Sequence, residues 1–74
     1  MSMRDSVQPE TKLTERELDV LKLAANGLRN SEIAQLLKIS EYTVADHMKS
    51  VLKRLGATTR VEAAVVACRA GLLG

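Results

Sequence analysis

Helix-start and helix-stop signals cut this chain into four short pieces. Thr14, Asn30, Ser40 and Thr59 each stand where a side-chain oxygen can cap a helix, and each opens a stretch with apolar residues three or four apart. Gly27, Gly56 and Gly71 close three of these stretches, as glycine does where the chain turns left-handed past a last helical turn. Glu17 follows Thr14, and Glu62 follows Thr59, at the three-residue spacing of a capping box, while Leu13 is placed to staple onto Leu18. No stretch carries a strand signal. The expected fold is all-α, a four-helix bundle with helices over about 15–26, 31–38, 41–55 and 60–70.

Composition narrows what such a bundle can be. Phe and Trp are absent and Tyr occurs once, so the core must be Leu, Ile, Val, Met and Ala, which suits helix-on-helix packing. The single Cys cannot form an internal disulfide, and with the single His it cannot hold a structural zinc. There is no signal-peptide pattern, and no apolar run nears the roughly 20 residues that span a bilayer, so a cytoplasmic location and no membrane partner are expected. No phosphate loop, metal set or acid–base pair can be assembled, so neither an enzyme nor a cofactor is expected. Residues 1–12 lack apolar periodicity and contain the only Pro, which reads as a disordered arm or linker ahead of a domain over residues 13–74.

The middle of the chain carries the functional signal. A helix of about two turns, a break at Lys38-Ile39-Ser40 and then a longer helix is the layout of a helix-turn-helix, whose second helix lies in the DNA major groove. The shorter helix is expected to bury Ile33, Ala34, Leu36 and Leu37, with Ile39 plugging the turn. On the longer one, at about 100° per residue, Val44, Met48, Val51, Leu52 and Leu55 share a core-facing arc. Opposite them lie Tyr42, Asp46, Lys49, Ser50 and Lys53. Lys49 can reach a guanine edge, and Asp46 can either accept from a cytosine amino group or simply favour the helix dipole. Ser40 and Thr43, with the free N–H groups beside them, are available to a phosphate, although capping accounts equally for Ser40. His47, at the edge of the core arc, is expected to be structural. Charge is distributed accordingly, with a net −2 over residues 1–19 and +4 over residues 20–60.

Together these residues resemble a known family. LTERELDVL, NSEIAQLL, IS followed by TVADH, KRL before Gly56, and TRVEAA stand in the order found in the LuxR-type (GerE-like) helix-turn-helix of bacterial transcription regulators. The resemblance covers nearly everything from Leu13 to Leu73. It implies sequence-specific binding of double-stranded DNA, with residues 41–55 as the recognition helix. Such a domain usually ends a longer chain, for instance a NarL/FixJ-type response regulator of a two-component system. By the same resemblance, base contacts fall to Ala45, Asp46 and Lys49, and phosphate contacts to Thr43, Lys53 and Arg60; RNA polymerase is a further candidate partner. One departure stands out: the residue after Thr-Val is commonly Lys in the family and is Ala45 here, where it can still touch a thymine methyl.

The last helix carries more apolar surface than one core needs. Val61, Ala64, Val65 and Cys68 are expected to face the bundle. Ala63, Val66, Ala67 and Ala70 would then form an exposed face for weak homodimerisation through helix 60–70, on an inverted-repeat site. The alternative function is a helical protein-interaction domain that has kept this fold without DNA binding.

Overall fold

The computed structural model describes residues 12–73, so most of the arm expected over residues 1–12 lies outside the described residues. Four helices follow one another: α1 Glu15–Ala25, α2 Asn30–Leu37, α3 Glu41–Leu55 and α4 Arg60–Arg69, with no strand among the described residues. The all-α expectation is met. α1 packs on α3 and α4, and α2 packs on α3 across the helix-turn-helix.

The caps are formed mostly as expected. Thr14 Oγ1 accepts from the Glu17 N–H at 3.1 Å, and Glu17 Oε1 accepts from the Thr14 N–H at 2.9 Å, completing the box at the start of α1. Thr59 caps α4 through the Glu62 N–H, while the Glu62 carboxylate turns to the Thr58 N–H and hydroxyl. Those Thr58 hydrogen bonds hold the fully exposed Glu62 carboxyl below its ordinary pKa. Asn30 does not cap α2. It is the first helical residue, and Arg29 takes the cap position, its N–H donating to Glu32 Oε1 at 2.8 Å.

At the end of α2 the chain turns left-handed at Lys38, with φ of 59°. The Ile39 N–H reaches back to the Ala34 carbonyl at 3.0 Å, so the turn between the two helices is a Schellman motif with lysine where glycine is usual. A side chain in that backbone region costs roughly 1–2 kcal/mol. Lys38→Gly should therefore raise stability by about 0.5–1 kcal/mol after glycine's own entropy is counted, seen as a higher urea midpoint at unchanged slope.

Val20, Leu21, Ile33, Val44 and Val51 are the largest side chains fully withdrawn from solvent, and each contributes about 1.5–3 kcal/mol. They come from α1, α2 and α3 and meet at the centre. Met48 and Leu55 extend the α3 arc as expected, with Leu52 and Ile39 half-buried at its margin. On α1 the inner face is Val20, Leu21 and Ala24. One apolar expectation fails. On α2, Leu36 is 62% exposed: two turns of helix show the core only one face, and Ile33 with Ala34 and half-buried Leu37 fills it.

The larger correction concerns α4. Ala63 and Ala67, expected outside as a dimer face, are both 0% exposed, and Val66 is half-buried against the core. Ala70 is exposed but lies just past the last turn. Val61 and Val65, expected inside, are 72% and 44% exposed, and Cys68 is exposed with them. The reason is steric. Alanines four residues apart let the α4 backbone approach its neighbours closely, whereas β-branched Val61 and Val65 would hold it away.

Candidate nucleic-acid interface

The helix-turn-helix presents the outer face of α3. Ser40 ends the turn with its Oγ accepting from the Thr43 N–H at 3.0 Å, and its hydroxyl pairs with the Thr43 hydroxyl at 2.9 Å. This hydroxyl pair sits over the first turn of α3, where N–H groups remain without intrahelical acceptors. Tyr42 next to it is 83% exposed. Further along, Ala45, Asp46, Lys49 and Lys53 are all exposed. With Tyr42 they fall within about 100° of arc on α3, opposite Val44, Met48, Val51 and Leu55. Among the described residues nothing packs over this face and Lys49 has neither an ion pair nor a hydrogen bond. His47 is half-buried at the boundary between the two faces.

Two residues of the expected surroundings behave differently. Ser50, placed by the sequence on the outer face, is half-buried and helps to hold the Glu17 carboxyl in its charged form. Arg60, expected to meet a phosphate, turns its guanidinium inward: one terminal nitrogen donates to the Leu28 carbonyl at 3.2 Å, the other to Asn30 Oδ1 at 2.6 Å. The structure thus brings together Ser40, Tyr42, Thr43, Ala45, Asp46, Lys49 and Lys53, and leaves Arg60 engaged within the protein.

Arg54 has a role that the sequence did not indicate. Its Nε lies 3.7 Å from Glu17 Oε1, and a terminal nitrogen donates to the Lys12 carbonyl at 2.9 Å. Glu17, 5% exposed, therefore ties the start of α1 to the flank of α3. Only the spacing Ser50–Arg54, one turn apart on α3, hinted at a shared partner. Burial pushes the Glu17 carboxyl up, but the hydrogen bonds with Thr14, the Ser50 side chain and the Arg54 charge outweigh it, so its pKa falls below 4.5. The folded protein then binds this proton less readily than the unfolded chain. Its contribution is complete above the unfolded pKa and is lost as pH drops through the folded one. Glu17→Gln should cost about 1–3 kcal/mol at neutral pH and flatten the acid limb of a plot of urea midpoint against pH.

A four-helix bundle with an uncovered polar face on the second helix of a helix-turn-helix has the form of a DNA-binding module of the kind that regulates transcription. Comparison with known sequences is specific. Residues 11–67 match the family described as "Bacterial regulatory proteins, luxR family", and the chain belongs to that family. It is 55% identical over 53 residues to the nitrate/nitrite response regulator protein NarL of Escherichia coli (strain K12), covering 72% of this chain and 24% of that one. It is 45% identical over 64 residues to the transcriptional regulatory protein YdfI of Bacillus subtilis (strain 168), covering 86% of this chain and 30% of that one. The HTH-type transcriptional activator RamA of Corynebacterium glutamicum is 45% identical over 67 residues, 90% of this chain and 24% of that one. The chain thus spans less than a third of these relatives. Among the described residues no helix is long and apolar enough to cross a membrane.

Proposed function

We propose that α3 enters the major groove of double-stranded DNA and reads sequence there, as the effector part of a longer cytoplasmic transcription regulator. Ala45, Asp46 and Lys49 face the base edges, while Ser40, Tyr42, Thr43 and Lys53 meet phosphates around them. The observation that carries this reading is the exposed outer arc of α3, its lysines without an ion pair among the described residues and its opposite arc fully spent on the core. A response regulator among the relatives supports control by a receiver domain of a two-component system, with RNA polymerase as a second partner. Selection of bound sites from a random DNA pool should return a defined half-site, with affinity falling steeply between ~50 and 200 mM salt. A flat salt response without enriched sequence would favour a protein-interaction domain instead.

Two copies pair on an inverted repeat through the exposed face of α4. That face is made by Val61, Ala64, Val65 and Cys68, which with Ala24 and Leu28 lines a shallow apolar groove. It is small, so pairing is weak off DNA. Cys68 is the only cysteine and is exposed, which makes it a reporter. A short bismaleimide should join two chains efficiently when an inverted-repeat site is present and poorly on a single half-site. Equal yields on both DNAs would rule out pairing through this face.

A further inference from the structure

Arg60 opens α4, yet its side chain reaches back across the molecule to the start of α2. Leu28, one of its two acceptors, lies in the turn after α1, and Asn30, the other, is the first residue of α2. The half-buried guanidinium thus ties the first turn of α4 to the joint from which the helix-turn-helix departs. It also lines the apolar groove, together with Ala24 and Leu28 ahead of α2 and Val61 and Val65 of α4.

We infer that Arg60 is a positioning residue whose forked bridge sets the angle between the exposed face of α4 and the recognition helix, and so the half-site spacing that a pair of chains accepts. The inference rests on the reading that two copies pair through α4. In such a pair α4 lies near the two-fold axis and α3 lies far from it. A small rotation where α4 begins is therefore magnified at the DNA. α2 packs directly on α3, so a shift at Asn30 is carried to the recognition helix. A planar fork with fixed N–H donors holds a backbone carbonyl and an amide oxygen at set positions; a lysine ammonium keeps the charge and has donors to spare but loses that geometry. A phosphate contact at this position would need charge alone.

The test uses the full 74-residue chain and DNAs carrying one half-site, or inverted repeats with spacers stepped by single base pairs. Asn30→Ala removes an acceptor without touching any cation. It should leave single half-site affinity and salt slope within about twofold of wild type, while broadening the spacing profile. Arg60→Lys and Arg60→Ala should broaden the profile as Asn30→Ala does, and the Asn30→Ala/Arg60→Ala pair should be no worse than either alone. Thermal midpoints measured alongside separate this from simple loss of stability, which would lower the midpoint with the spacing profile intact and overturn the inference. It is likewise overturned if Arg60→Ala lowers the salt slope by about one unit and Arg60→Lys restores it. A wild-type chain that binds every spacer as two independent sites would instead bring down the pairing itself, and this inference with it.

Discussion

Ala67→Glu should abolish the cooperative fold at neutral pH, whereas Ala70→Glu, three residues on, should change stability by no more than about 0.5 kcal/mol. Ala67 is 0% exposed where α4 meets the core, and Ala70 is exposed. A carboxylate forced into that apolar contact costs several kcal/mol, on top of the volume it must displace. A domain of this size has only about 0.05–0.15 kcal/mol per residue of net stability to lose. Far-UV circular dichroism with urea titration decides the matter. If both variants unfold at the same denaturant concentration, α4 is rotated from the orientation described, and Ala63 and Ala67 regain their place as an outer face.

Lys49→Ala should weaken binding to the selected site by about 1–3 kcal/mol and relax preference at one base position, with little change for unrelated DNA. Lys53→Ala should act differently, weakening all sequences alike and reducing the salt slope by about one unit. The contrast follows from placement on α3. Lys49 lies one turn beyond Ala45 and Asp46 in the middle of the outer arc, and Lys53 one turn further along. Titrations of the selected site and a scrambled duplex at several salt concentrations separate the two effects. Equal loss on both duplexes for Lys49→Ala would move it from base reading to the backbone. Restoring a cation with Ala45→Lys should raise affinity for both duplexes.

Most of the scaffold was legible before any coordinates. Thr14 with Glu17, Ser40, Gly56 and Thr59 are local signals, satisfied within a few residues of themselves, so the helix boundaries followed. The faces of α3 were legible because large apolar and charged residues alternate there with a clear helical period. The face of α4 was not, because Ala and Val occupy nearly every position from 61 to 67. Periodicity cannot choose between two apolar sides; the choice is made by how closely the backbone of a neighbouring helix can approach. The long-range bridges of Arg54 and Arg60 were hidden for a related reason. Each has a backbone carbonyl among its acceptors, of Lys12 or Leu28, which every residue carries, and a side-chain partner, Glu17 or Asn30, too far along the chain for local spacing to pair them.

The single tyrosine lies on the outer arc of α3 and is 83% exposed, and the chain has no tryptophan. Its intrinsic fluorescence will consequently be almost blind to denaturation, since that ring is already in water. Docking against a duplex would alter its surroundings. The molecule therefore carries a built-in optical probe of engagement, while its melting has to be followed through backbone ellipticity.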